Sequence, residues 1–401
     1  MSDLSWIYTY GFFGVRLFDL PSLLLCLLTI LVCGHKFNIP HKYQVVLAFH
    51  CLLPFVLNDV LFNPSYMPDQ FKYWRGVNAL RSGELGFVEA MISGETVLQA
   101  SVFLATIPFP SPVSIISLGF YNTFIYIVLF FVLYVKKIFT QISIWFYLLF
   151  PSLALYTALS LRETLIFFFM TMAVVYARES KVLKSALCVA PLYLIKFQNF
   201  YIIGPVVLLY FIFNVAKKGM GMGKAFSIGI IGLITLLISA PVAIPIVNKF
   251  RVAMFVEDGG DPEDIELIAG AGDFVFQGLT SGFYFLSKPL PWEAASALQL
   301  IQSVENVFVL AILFLVTRQA WKKRPDKLAF WLLFMALGMS VYGLVVANYG
   351  TAVRYRYAFV VIYILFACAD CNVQELFPKK NKVSSVQQRI DSVKQAKTDR
   401  V

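Results

Sequence analysis

Side chains able to do chemistry on a hydroxylated or phosphorylated ligand recur at the ends of apolar runs in this sequence. The stretch from Asn63 to Arg75 contains Asp69, Tyr73 and Trp74. A carboxylate there can serve as general base toward a sugar hydroxyl, and the two rings offer flat apolar faces on which a sugar can stack. The same residues would also suit an interfacial aromatic belt in which Asp69 caps the helix that follows. Further on, Pro151 to Thr164 joins two apolar runs through a turn holding Arg162 and Glu163. A guanidinium forks onto phosphate oxygens, so Arg162 suits a lipid phosphate or pyrophosphate headgroup, unless it only pairs with Glu163 or snorkels to the interface. Lys196, Gln198 and Asn199 repeat the design: a cation and two amides that fit glycan hydroxyls and a phosphate, or simply a connecting turn. Finally, Arg354 and Arg356 begin an apolar run flanked by tyrosines. On a helix they diverge by about 200°, so one can bind ligand while the other braces a neighbour.

Asp59 and Glu305, each inside an apolar run, are further acids that can pair with a basic residue. The loop from Asn248 to Leu298 opens with an acidic part, Glu257 to Asp273, that lacks the alternation of an EF-hand and reads as a solvated loop. Its aromatic, Pro-rich half, Phe283 to Glu293, is expected to form a lid or groove wall. His35, His41 and His50 are the only histidines and lie toward the cytoplasmic side of the first two runs, which disfavours histidine or zinc chemistry outside. No phosphate-cradling GxxxxGK[ST] motif occurs, and Cys368 and Cys371 have CxxC spacing without a second pair, so they read as buried thiols. No metal or cofactor is expected.

A membrane scaffold must position these groups. Of 401 residues, 59% are hydrophobic and 14% charged, against roughly 25% charged in soluble domains; the chain reads as an all-α polytopic membrane protein. The net charge of +10 lies in small clusters between apolar runs, where it sets topology; membrane lipid is an expected partner and nucleic acid is not. Placing His35–Lys42, Lys136–Lys137, Arg178–Lys184, Lys217–Lys218, Arg318–Lys327 and Lys379–Lys382 in the cytoplasm gives about eleven transmembrane helices, with the N-terminus outside and the C-terminus cytoplasmic. They cover 18–34, 43–62, 113–135, 139–157, 163–177, 183–196, 200–216, 226–246, 300–317, 328–346 and 355–371. The run Leu20–Val32 lacks a basic region before it and a cleavage site after it, so it is kept as a span. Several runs fall short of the roughly 20 residues a crossing needs, so broken helices are expected around Ser160 and Lys196. Thr96–Pro110 would reverse every later loop if it crossed, and is expected to be re-entrant or interfacial. The domain reading is a membrane unit, 1–377, with outer loops 63–112 and 248–299, and a basic cytoplasmic tail, 378–401, lying on lipid or solvated.

In this frame the candidate residues converge on the outer face, where basic side chains run against the positive-inside rule and ionisable groups at membrane depth point to function. No internal repeat or matched pair of interrupted spans is seen, which counts against a transporter.

The loop with Asp69 and Tyr73, the Leu161-Arg162-Glu163 turn and the late Arg354-Tyr355-Arg356 resemble the EpsG and Wzy-type polysaccharide polymerases. These O-antigen and exopolysaccharide polymerases are bacterial membrane proteins of GT-C-like design. The resemblance covers most of the membrane unit. It implies a multi-pass protein of the bacterial inner membrane that joins polyprenyl-pyrophosphate-linked oligosaccharide repeat units at the outer face, alongside other polysaccharide-assembly proteins. It puts Arg162, Arg354 and Arg356 on the pyrophosphate and Asp69 or Glu163 in the role of base. The O-antigen ligases of similar architecture use an outer histidine that this chain lacks, which favours polymerase over ligase. Two alternatives stay open: a GT-C glycosyltransferase using a polyprenyl-phosphate sugar donor, and a lipid-linked oligosaccharide transporter, which would line the whole bilayer with charge.

Overall fold

The computed structural model describes residues 11–58, 60–61, 67–213, 222–257, 259–346 and 348–376; Asp59, residues 62–66, Lys217–Lys218, Asp258 and the tail 378–401 lie outside the described residues. The helices run in order α1 (Gly11–Lys36), α2 (His41–His50), α3 (Leu53–Leu57), α4 (Asp69–Ser82), α5 (Phe87–Ile92), α6 (Thr96–Ala105), α7 (Ile115–Val135), α8 (Gln141–Leu149) and α9 (Pro151–Ala158). They continue with α10 (Glu163–Arg178), α11 (Val182–Ile195), α12 (Phe197–Phe213), α13 (Met222–Glu257), α14 (Ala271–Ser287), α15 (Ala297–Lys323), α16 (Pro325–Gly343) and α17 (Tyr349–Asp370). The fold is all-α, with no β-strand element among the described residues.

Among the described residues four helices are long and apolar enough to cross a bilayer: Leu17–Lys36 of α1, α7, α15 and α17. A fifth span results if α8 and α9, bent by 51° at their junction, count as one. This is fewer than the eleven expected, because several expected spans are short apolar helices: α2 with α3, α6, α11 and α12 have 10–17 residues, below the roughly 20 needed. Thr96–Pro110 holds only the ten-residue α6, about 15 Å long at 1.5 Å per residue, half a hydrocarbon core. Breaks fall at the two expected places, between Ala158 and Glu163 and between Ile195 and Phe197.

Local sequence accounts for the breaks. Pro151, at the first position of α9, cannot donate to the ladder of α8, so the chain turns there and restarts. Thr140 and Ser143 form a reciprocal capping box that starts α8. The core is built on α7 and α17, whose apolar windows are 83% buried, whereas those of α1 and α15 are 28% buried. The first pair is therefore central, and the second presents Leu24, Leu28, Leu31, Ile301, Phe308 and Phe314 outward, as a lipid-facing helix would.

One expected loop is structured instead. The stretch 248–298 contains the end of α13 and the whole of α14, so Phe283–Leu286, expected in a lid, are helical. Gly278 and Gly282 on α14 face Ser340 on α16, and a Cβ on Gly343 of α16 would sit 2.4 Å from the Ser281 carbonyl. Small residues one turn apart thus let two backbones touch, the packing that serves helices in lipid.

Candidate active site

Three segments far apart in sequence meet through one guanidinium. Arg354 lies in the second turn of α17, a helix started by Asn348, whose Oδ1 accepts from the amides of Gly350 and Thr351. Its Nε donates to Glu163 Oε1 at 2.7 Å, and its Nη1 to Asp69 Oδ2 at 3.3 Å. Glu163 is the first residue of α10 and Asp69 the first of α4. A carboxylate is favoured at such a helix start by the exposed N–H groups. The two acids differ: Glu163 is buried and keeps Oε2 without a hydrogen-bond partner, while Asp69 is partly exposed and also holds Lys72 Nζ at 3.0 Å. Burial works to raise the Asp69 pKa, but the Lys72 hydrogen bond and the Arg354 charge outweigh it and hold this carboxyl below its ordinary range.

The turn that presents Arg162 and Glu163 is held from below. Asn122, fully buried in the middle of α7, donates Nδ2 to the carbonyls of Leu159 at 2.5 Å and Leu161 at 2.7 Å. Ser160 Oγ donates to the Ile115 carbonyl, and the Ser160 amide donates to Gln70 Oε1 at 3.1 Å. Gln70 in turn donates to Asn58 Oδ1 at 3.1 Å. Because Gln70 follows Asp69 directly, this chain of amides ties the two carboxylate-bearing helix starts to one another. The backbone between Ala158 and Glu163 would otherwise carry unmatched polar groups in an apolar setting, which is costly.

Arg162 donates Nη1 to Thr96 Oγ1 at 2.7 Å and to the Ile195 carbonyl at 3.1 Å, and its Nε is buried without a partner. That places it against the α11–α12 break, where Lys196 lies 4.1 Å from the centre of the Tyr355 ring and 6.0 Å from that of Tyr342. Gln198 Oε1 is buried with no partner, while Asn199 Oδ1 accepts from Tyr342 Oη at 2.9 Å. Arg162, Glu163, Lys196, Arg354 and Asp69 therefore belong to one neighbourhood.

Three candidates sit otherwise than a ligand-facing role would need. Tyr73 is 2% exposed, packed inside, so its face is not open to a sugar, and burial raises its pKa. Trp74 is half-buried and donates Nε1 to the Pro112 carbonyl at 2.9 Å. Arg356 is 6% exposed, and its Nη1 is shared among the carbonyls of Phe285, Leu286 and Lys288 at 3.1, 3.1 and 2.5 Å. Asn306 of α15 donates to the carbonyl of Ser287 in the same place. Arg356 thus braces the end of α14 while Arg354 meets the two carboxylates and the cleft, the division their divergence of about 200° allows. Glu305 likewise serves a helix end, accepting from the Ser152 amide at 3.0 Å at the start of α9.

A cleft of about 180 Å³ opens on Arg354. Its walls are apolar at Leu57, Met67, Leu155 and Leu298, and polar at Gln302 and Thr351. That is smaller than the roughly 300–1,000 Å³ of a site for a drug-sized ligand, so it has room for one ring-sized group. The residues missed by sequence reading are Asn122, Gln70, Thr96 and Tyr355. Asn122 left a readable signal, an amide in the middle of a 21-residue apolar helix. Among the described residues no three His, Cys, Asp or Glu side chains gather as a metal site would require. No protein-family model, curated protein or solved structure matches the chain.

Proposed function

We propose that the chain is a glycosyltransferase of the polysaccharide-polymerase type, joining polyprenyl-pyrophosphate-linked repeat units at the outer face of a bacterial inner membrane. The observation that carries this reading is the convergence of Asp69 and Glu163 on Arg354 beside a small cleft of mixed polarity, at the end of the bundle assigned to the outside.

In the reaction an acceptor hydroxyl oxygen attacks the anomeric carbon of the lipid-linked glycan. The bond from that carbon to the diphosphate oxygen breaks, the diphosphate leaves with the electron pair, and the hydroxyl proton passes to a carboxylate. Asp69 is the more accessible acid, but a carboxylate held low by two cations is a weak base, so orientation of the hydroxyl suits it better than full proton abstraction. Glu163 Oε2 has no hydrogen bond and could take the proton. Basic side chains around the acids would stabilise the departing diphosphate.

The test is the surface polysaccharide of a deletion strain on a gel, complemented with wild type, Asp69→Asn or Arg354→Ala. Collapse of long chains to single repeat units, restored by wild type and by neither variant, is expected. Unchanged chain length in the deletion strain would overturn polymerisation and leave a transferase adding one sugar, or transport.

A further inference from the structure

Two helices are tied to one another at both ends. At one end Glu163, the first residue of α10, accepts from Arg354 Nε at 2.7 Å; at the other Arg178, the last residue of α10, has its Nε 3.0 Å from Oδ1 of Asp370, the last residue of α17. Glu163 and Arg178 are 15 residues apart and Arg354 and Asp370 are 16, about 22 and 24 Å along a helix. The two helices therefore run parallel, and the ion pairs close a frame with sides of nearly equal length. Neither side contains a proline or a glycine, whereas α1, α11, α12 and α13 carry prolines inside, so both sides are stiff. Between the pairs the Phe167 and Tyr357 rings meet at 6.0 Å, and among the described residues no hydrogen bond joins α10 to α17 there. Ring packing opposes sliding along the axis weakly, while a slip of one residue, about 1.5 Å, would misalign both ion pairs at once. Asp370 is also costly where it stands. It is 3% exposed and lies at the negative end of the dipole of its own helix. Besides Arg178 it is held by Tyr210 Oη at 2.8 Å and Trp331 Nε1 at 3.2 Å. A buried acid so placed contributes less to stability than to specifying one arrangement of its neighbours.

We propose that Asp370, through Arg178, is a positioning residue for the Glu163–Arg354 pair: the far ion pair fixes how far α17 stands along α10, and so how Glu163 meets Arg354 about 22 Å away. The assignment holds whatever group the cleft takes, because what is positioned is the guanidinium on which the cleft opens. Tyr210 and Trp331 extend the frame to α12 and α16, so one carboxylate gathers four helices. A misplacement of about 1 Å can cost a reacting site 10²-fold, which is the scale of a one-residue slip.

The experiment is a double-mutant cycle in melting temperature on the full chain in phosphatidylcholine nanodiscs, with Glu163→Gln and Arg178→Gln measured singly and together. Sites this far apart ordinarily add. A shared register predicts instead that Glu163→Gln lowers the melting temperature in the Arg178→Gln background by less than half of what it does in the wild-type background. Asp370→Asn, which keeps the acceptor for Tyr210 and Trp331, is expected to behave as Arg178→Gln, and Arg178→Lys, which keeps the charge, to restore most of the full effect of Glu163→Gln. Gly343→Ala, a destabilisation on α16, is expected to add in full to Glu163→Gln. Additivity of Glu163→Gln with Arg178→Gln would overturn the proposal, and so would an equal shortfall with Gly343→Ala, the mark of a general loss of cooperative unfolding. Where Glu163→Gln does not purify folded, Glu163→Asp, which keeps the charge and shortens the arm, enters the same cycle with the same expectation. No substrate is used, so the cycle and the polysaccharide gel can fail separately.

Discussion

Arg354 and Arg356 lie two residues apart on one helix and meet opposite partners. Arg354 faces two carboxylates from the starts of α4 and α10, and a cleft. Arg356 faces backbone carbonyls at the end of α14. Arg81 repeats the second arrangement: its guanidinium donates to the carbonyls of Ala105, Ile107 and Phe109 at the end of α6 and lies 5.0 Å from the Tyr121 ring centre. A short helix that stops inside the protein leaves its last carbonyls unpaired, and a buried arginine can match several at once while complementing the negative end of the helix dipole. The basic residues that the sequence reading places on the outer face therefore fall into two groups. One group ends helices; the other is arranged around acids.

Substitution can break this comparison. The largest effect is expected at Glu163→Ala, which leaves Arg354 buried with one weak partner; losing a partner from a buried pair costs about 3–5 kcal/mol, and both chain elongation and the melting temperature of the purified protein should fall. Arg356→Gln should cost about 2–3 kcal/mol through unmatched carbonyls, read as a fall in melting temperature, with chain elongation kept by the fraction that folds. If Arg356→Gln instead abolished chain elongation without loss of stability, the division between the two arginines would be wrong. Gly343→Ala drives a Cβ into the Ser281 carbonyl and the Gly282 amide, and should cost about 1–3 kcal/mol by overpacking, measured by thermal unfolding. The smallest effect is expected at Lys72→Ala, since an exposed pair contributes about 0.2–1 kcal/mol. Its signature would be in pH instead. Asp69 is held low partly by Lys72, so removing that cation raises its pKa and moves the acid limb of the activity profile to higher pH; an unmoved limb would separate Asp69 from the rate.

Much of the site was legible because its residues break a rule of composition. Asp69, Arg162, Glu163, Lys196 and Arg354 are charged groups at the ends of apolar runs, and the structure gathers them. Sequence could not tell Arg354 from Arg356, since that depends on which face of α17 meets α14. Tyr73 illustrates the opposite error, because an aromatic beside an acid suggests stacking while its burial depends on how α4 packs. The breaks at Ser160 and Lys196 were readable from run length. The helical α14 was not, because its stability comes from Gly278 and Gly282 against α16 and from side chains of α15 and α17, none of which its own polarity announces.

The end of α14 also constrains how the molecule is made. Its carbonyls at 285–288 are matched by Asn306 and Arg356, which lie later in the chain. During synthesis from the N-terminus, α14 emerges before either partner exists, so its C-terminal turn must stay hydrated until α15 and then α17 arrive. Docking of α14 is therefore completed late in biogenesis: a chain halted after α16 would have Asn306 for the Ser287 carbonyl but no Arg356 for those of Phe285, Leu286 and Lys288.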